Sequence, residues 1–199
     1  MKEDKRLFEK IMRSGHKKAF KKQNSKAYYF YSRAIEVNKY SGKAYYYRAK
    51  VAKNKQAMKD FRKAILLGFK NEDAYLQLGQ LYESANRNSK ALITYSLGIK
   101  ANPYSKCLLL KQRGIYYHKH NLYTKALKNY FKSLKRSKTV ALKSDNYASI
   151  GRIYVKLNEN EKAIKAFKKA KKFSSIKKRI IYSHSGKAIG LAHDRIKDY

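Results

Sequence analysis

Residues able to do chemistry are few, and their spacing does not favour catalysis. His118 and His120 stand two apart, which on a helix turns them to different sides, so they cannot chelate one ion. His184 and His193 flank the middle of an expected last helix, with no carboxylate or cysteine at ligand spacing. Cys107 is the only cysteine, which leaves no partner for an internal disulfide and no cysteine-built zinc site. Acids number 13 in 199 residues, too sparse for an expected pair of carboxylates in proton transfer. The 9 glycines do not gather into a phosphate-cradling loop. We expect no catalytic residue, no metal site and no cofactor.

Charge is the larger signal. Lysine and arginine total 49, for a formal net charge of +36. Such an excess attracts anionic neighbours: acidic peptides, nucleic acid or lipid headgroups. Lysines outnumber arginines 38 to 11, beside 19 tyrosines and no tryptophan. Base readout leans on the arginine fork, and a bias of composition toward lysine and tyrosine gives the same totals, so both origins of the charge stay open. From Arg87 through Lys143 there are 14 cations and no acid, and Lys10 to Ile35 carries eight cations and no acid. These stretches read either as a solvated outer face or as a surface that tracks phosphate or anionic lipid. The start, MKEDKRLFEK, lacks an apolar leader core. Apolar runs such as Ala64 to Phe69 are about six residues, far short of the roughly twenty that span a bilayer. The expected location is cytoplasmic.

The elements that hold these side chains follow from a repeat. Small residues recur in pairs: Gly15 and Ala27, Ala49 and Ala57, Gly79 and Ala91, Gly114 and Ala126, Gly151 and Ala163. The separation is twelve in four pairs and eight in the second; the step to the next pair is 22 to 25, ending at Gly186. Four residues before each first member stand Ile11, Tyr45, Tyr75, Leu110, Tyr147 and Tyr182. Three after it stand Tyr82, Tyr117, Tyr154 and Ile189 in the later units. Four and seven after each second member stand Tyr31 and Ala34, Phe61 and Ala64, Tyr95 and Gly98, Tyr130 and Ser133, Phe167 and Ala170. Offsets of 3, 4 and 7 mark one face of a helix. Two helices per unit, each apolar on one stripe, must pair and stack on neighbours to bury it. Small residues let the pair approach closely while the aromatic fills the adjoining space. A bulky residue there overpacks at about 1–3 kcal/mol, and Gly79→Leu is the most disruptive change the pattern implies.

Asn86, Asn121 and Asn158 each follow the glycine of their unit by seven residues, the phase of a left-handed helix stop. Asn102-Pro103 closes one hairpin, and Asn71 and Ser144-Asp145 are expected N-caps.

This pattern resembles the tetratricopeptide repeat. The unit 72–105 carries Tyr75, Leu78, Gly79, Tyr82, Ala91, Tyr95 and Pro103 at the family's phases. The unit 144–177 carries Tyr147, Ile150, Gly151, Tyr154, Ala163, Phe167 and Ala170. The resemblance implies an all-α fold: an α-solenoid, a right-handed superhelix of about five helical hairpins in a single domain over 1–199. The units are 8–41, a shortened 42–71, 72–105, 107–140 and 144–177, followed by a solvating helix at 178–197. Pentatricopeptide repeats, which read RNA, have a fixed 35-residue period, whereas spacings of 30, 34, 35 and 37 separate the second small residues here.

The resemblance further implies a non-enzymatic scaffold whose first helices line a concave groove. Carried onto this chain, the contact positions are Tyr46, Tyr47, Lys50, Gln77, Gln80, Lys111, Gln112, His118, Ser149, Arg152, Lys156 and Lys187. Lysine supplies charge and glutamine pairs with peptide backbone, so the expected partner is an acidic protein or peptide. Non-specific nucleic acid and anionic membrane are the alternatives. Repeats that clamp a chaperone's C-terminal carboxylate use Lys and Asn, then Asn, then Lys and Arg on three successive first helices. The matching residues are Tyr46 and Lys50, Gln77, then Leu108 and Gln112, or, one unit later, Leu76 and Gln80, Gln112, then Asp145 and Ser149. Neither set fits.

Overall fold

The computed structural model describes residues 2–102 and 106–174, which form ten α-helices and, among the described residues, no strand. The expected helix at 178–197, with Tyr182, His184, Gly186, Lys187, Ile189 and His193, lies outside them. The chain divides into two compact units, residues 1–103 and 104–199. The first unit holds α1 (Lys2–Phe20), α2 (Asn24–Val37), α3 (Gly42–Val51), α4 (Asn54–Leu66), α5 (Glu72–Ser84) and α6 (Asn88–Ala101). The second holds α7 (Cys107–Lys119), α8 (Tyr123–Arg136), α9 (Val140–Lys156) and α10 (Asn160–Phe173). Within each unit successive helices pair as hairpins, and each hairpin packs on the next.

The glycine phase has a direct physical cause. A Cβ on Gly15 would stand 2.6 Å from Tyr31 Cε1, on Gly114 2.8 Å from Tyr130 Cε1, and on Gly151 2.7 Å from Phe167 Cε1. Gly79 faces Tyr95 in the same way. One edge of the second helix's aromatic ring therefore lies against the backbone of the first in these four hairpins, closer than a Cβ would allow without movement of the ring. Tyr31, Tyr95, Tyr130 and Phe167 are all fully buried.

The turns obey one rule too. Asn86, Asn121 and Asn158 have φ of 56°, 57° and 57°. Lys22 holds φ 56° at the corresponding place in the first hairpin. The next residue in each case returns its N–H to a carbonyl five earlier: Gln23 to Lys18 at 3.0 Å, Arg87 to Tyr82 at 2.8 Å, Leu122 to Tyr117 at 2.9 Å and Glu159 to Tyr154 at 2.9 Å. That closes the helix end with a Schellman pair. The shortened hairpin turns through Ala52 and Lys53 at negative φ, so it has no left-handed stop.

Asn71 caps α5 as expected, its side chain accepting from Asp73 N at 2.9 Å. Ser144-Asp145 does not cap. The last described hairpin starts four residues earlier, with Thr139 accepting from Leu142 N. Ser144 lies inside α9 and donates to Ala170 O at 2.9 Å, tying α9 to α10. A second polar thread joins α9, α8 and α7: Asn146 donates to Ser133, which donates to Cys107 O, at 2.9 and 2.8 Å. In the first unit Arg48 grips Asp60 through two bonds of 2.8 Å, and Gln56 adds a third of 3.0 Å. Asp60 is 1% exposed, and a buried carboxylate requires such pairing.

Candidate functional site

In the second unit α7 and α9 present facing stripes. Lys111, Ile115 and His118 fall at i, i+4 and i+7 on α7, while Asp145, Ala148, Ser149 and Arg152 fall at i, i+3, i+4 and i+7 on α9. With Lys119 and Tyr130 they line a cavity of about 410 Å³. Four of the expected contact residues, Lys111, His118, Ser149 and Arg152, thus meet in one place. Lys111 Nζ donates to Asp145 Oδ2 at 2.6 Å, and Ser149 Oγ to Asp145 O at 2.9 Å. Burial first, then the positive charges of Arg152 and Lys156, hold His118 below its ordinary pKa, so it is neutral at pH 7. Lys156 lies one turn beyond Arg152 and is exposed; Gln112 is half-buried and does not line this cavity.

The first unit repeats the arrangement between α3 and α5. Tyr46 donates to Asp73 Oδ2 at 2.6 Å, Lys50 lies 3.5 Å from the same oxygen, and Gln77 donates to Oδ1 at 3.1 Å. Burial alone would raise the Asp73 pKa; the bonds from Tyr46, Gln77 and Lys50 outweigh it and hold the group below its ordinary value. Tyr46 is 6% exposed and packs on Phe61 and Phe69; its hydroxyl reaches Asp73 while Lys50 Nζ stands 5.5 Å from its ring centre. Tyr47 is half-buried, with its ring 4.3 Å from that of His16. Gln80 is exposed, at the place on α5 that Arg152 takes on α9.

Asp73 and Asp145 were absent from the expected contact set. Each lies six residues before the glycine of its unit, and each receives a donor from the preceding first helix: Tyr46 or Lys111, both three before their own small residue. Aligning the units on the glycine exposes that phase. Attention to cations alone hides it.

The outer helices carry a separate pattern. Two and six residues after the small residue, α4 shows Lys59 and Lys63, α8 Lys128 and Lys132, and α10 Lys165 and Lys169, all exposed. At those places α6 has Ile93 and Leu97, 58% and 53% exposed. Among the described residues no group of three or more His, Cys, Asp or Glu could hold a metal ion, and no helix is long and apolar enough to cross a membrane.

The tetratricopeptide repeat family model matches residues 72–105 and 144–175, the two units that best fit the pattern. No curated protein matches the sequence. Among solved structures, MamA aligns with a TM-score of 0.71 at 21% identity, over 80% of this chain and 93% of that one. YrrB, a TPR protein with an unusual peptide-binding site, aligns with a TM-score of 0.68 at 20% identity, over 89% and 90%. The Pseudomonas aeruginosa protein pilF aligns with a TM-score of 0.74 at 13% identity, over 98% and 92%. Repeat phase and the family model together identify tetratricopeptide repeats at residues 72–105 and 144–175, and the solved structures share the helical-repeat fold of the chain.

Proposed function

We propose that this chain is a non-enzymatic scaffold that holds an acidic peptide segment along its first helices. The carrying observation is the convergence of Lys111, His118, Ser149 and Arg152 on one cavity between α7 and α9, at the phases that contact ligands in the family. YrrB, a structural neighbour, is described as having a peptide-binding site, which supports the same use here. Affinity would come from many modest contacts on a surface already in shape. Lys50, Gln77, Gln80 and Gln112 extend the contact set in the same chemistry, and Lys187 belongs to it by phase.

Arg152 and Lys156 are the residues to change, because both are exposed. Lys111 is a poorer choice: Lys111→Glu would set a second carboxylate against Asp145 at ion-pair distance and disturb the α7–α9 packing. Arg152→Glu with Lys156→Glu should abolish capture of acidic proteins from lysate at moderate salt while leaving the helical circular dichroism unchanged. Capture that survives both changes refutes the groove.

The lysine pairs of α4, α8 and α10 favour a second reading, a surface that attracts nucleic-acid phosphate without sequence preference. Affinity for duplex DNA would then fall by about 0.9 log unit per contact for each tenfold rise in salt, and weak binding at low salt eliminates it. Flotation with anionic vesicles tests the lipid alternative.

A further inference from the structure

We propose that the turn of the first hairpin docks on an anionic lipid surface, with the Phe20 ring inserted among the acyl chains and the lysines around it on the headgroups. This is a different use of the chain from the groove reading and does not rest on it. Phe20 ends α1 and is 91% exposed, the highest of any large apolar side chain among the described residues. The repeat shows that the fold does not need a ring there. Five residues after the glycine of their units, three other hairpins place Ser84, Lys119 and Lys156, all exposed. Phe20 takes that same solvent-facing place, five after Gly15.

Its surroundings point to the partner. Lys17, Lys21, Lys22 and Lys26 are exposed and Lys18 is half-buried, and no acid occurs between Glu9 and Glu36. A second copy of the chain would bring the same cations against these and be repelled. Clustered lysines attract an anionic leaflet, but the attraction fades within a Debye length. A basic patch therefore holds best when an apolar group also enters the interface, and Phe20 supplies that second signal. On α2, Lys26, Tyr29 and Arg33 follow at i, i+3 and i+7 on one side of the helix. Tyr29, 58% exposed, offers the amphipathic ring favoured at headgroup level. The turn itself is closed, with the N–H groups of Lys22 and Gln23 donating to Ala19 O and Lys18 O at 2.9 and 3.0 Å. An exposed ring on a closed turn fits a fluid layer that yields to it. Base stacking prefers successive rings along a channel, and a protein partner would need a pocket shaped for this one ring.

The chain has no tryptophan, so Phe20→Trp places a lone fluorescent reporter at the turn of the full-length protein. The probes are vesicles of phosphatidylcholine alone and vesicles of equal parts phosphatidylcholine and phosphatidylserine, each with and without bromine on the acyl chains. Blue-shifted emission that brominated lipid quenches, in the phosphatidylserine vesicles only, supports insertion. Phe20→Ala should weaken co-sedimentation with those vesicles about tenfold or more. Lys21→Glu with Lys26→Glu should weaken it about thirtyfold or more, at roughly fivefold per lysine lost. Folding is not the obstacle, because all three side chains are exposed and Lys26→Glu puts an acid in the first turn of α2, where the helix dipole favours it. Unshifted emission with phosphatidylserine vesicles, or an equal shift with phosphatidylcholine alone, overturns the proposal. So does co-sedimentation that Phe20→Ala leaves unchanged. Emission that responds to a single-stranded oligonucleotide and not to vesicles assigns the turn to bases and overturns the lipid reading. Peptide capture is read separately, with Arg152→Glu and Lys156→Glu, and stands or falls on its own.

Discussion

If the hairpins are held together by aromatic rings lying on bare backbone, adding one methyl group should cost stability even though alanine is the better helix former. Gly151→Ala is the cleanest test. Its new Cβ would stand 2.7 Å from Phe167 Cε1, 2.8 Å from Cζ and 2.9 Å from Cδ1. Three atoms of a fully buried ring would have to move by several tenths of an ångström, and overpacking of this kind costs about 1–3 kcal/mol. Alanine recovers roughly 0.8–1 kcal/mol of helix propensity. The net loss is therefore about 0–2 kcal/mol, which at roughly 2–4 °C per kcal/mol for a protein of this size lowers the midpoint temperature by up to about 8 °C. The second arm is Phe167→Leu, whose slimmer side chain vacates the contact, and the third is the double variant. With the ring gone, Gly151→Ala should turn stabilising, so the cycle should show a favourable coupling of about 1–3 kcal/mol. Urea unfolding followed by circular dichroism measures all four proteins. Additivity within about 0.5 kcal/mol, or a stabilising Gly151→Ala in the wild-type background, would refute the contact as the reason for glycine. The second hairpin is consistent with a tunable contact, since it carries Ala49 with Phe61 at the same two phases.

Three further outcomes follow from particular contacts. Lys22→Gly should stabilise the chain by about 1 kcal/mol, because lysine there holds φ 56° in a region that penalises side chains; thermal unfolding checks it, and no gain refutes the strain. Asp60→Leu should cost about 3–5 kcal/mol by leaving the Arg48 guanidinium, 15% exposed, without its buried partner. Asp60→Asn should cost less, since Asn129 accepts from Arg113 at 2.9 Å in the corresponding place, and equal losses in urea would refute that comparison. The pKa of His118 is depressed in the fold, so the unfolded chain binds its proton more tightly. Stability present above about pH 6.5 is then lost as the pH falls toward the lower folded value. His118→Gln should flatten part of that slope, leaving the part due to His16, which burial also holds low.

The fold was legible in the sequence because its packing is periodic. Gly79 and Tyr95, or Gly151 and Phe167, meet wherever sixteen residues separate them across one turn, and the turn asparagines sit where the hairpin turn adopts positive φ. Periodicity did not reveal choices made between equals. Thr139 and Ser144 are both good caps by type; Ser144 is taken into the helix because its hydroxyl reaches Ala170 O on α10, and a tertiary bond overrides the local preference. Lys22 shows the converse, a left-handed stop that residue type conceals and position reveals.

The candidate site divides along the same line. Positions on α7 and α9 were legible from phase alone, which is why four expected residues line one cavity. Their partners were not, because a bridge between successive first helices depends on how far one helix slides past the next. That slide sets Lys111 opposite Asp145 and Tyr46 opposite Asp73, joining a place three before one small residue to a place six before the next. The consequence is electrostatic. Asp60, Asp73 and Asp145, three of only 13 acids, pair with cations of neighbouring helices, so Lys111 is committed to its neighbour while Arg152 and Lys156 remain exposed. The total of 49 cations therefore overstates what is free to act on a partner, because some of them are already held by acids of the same chain.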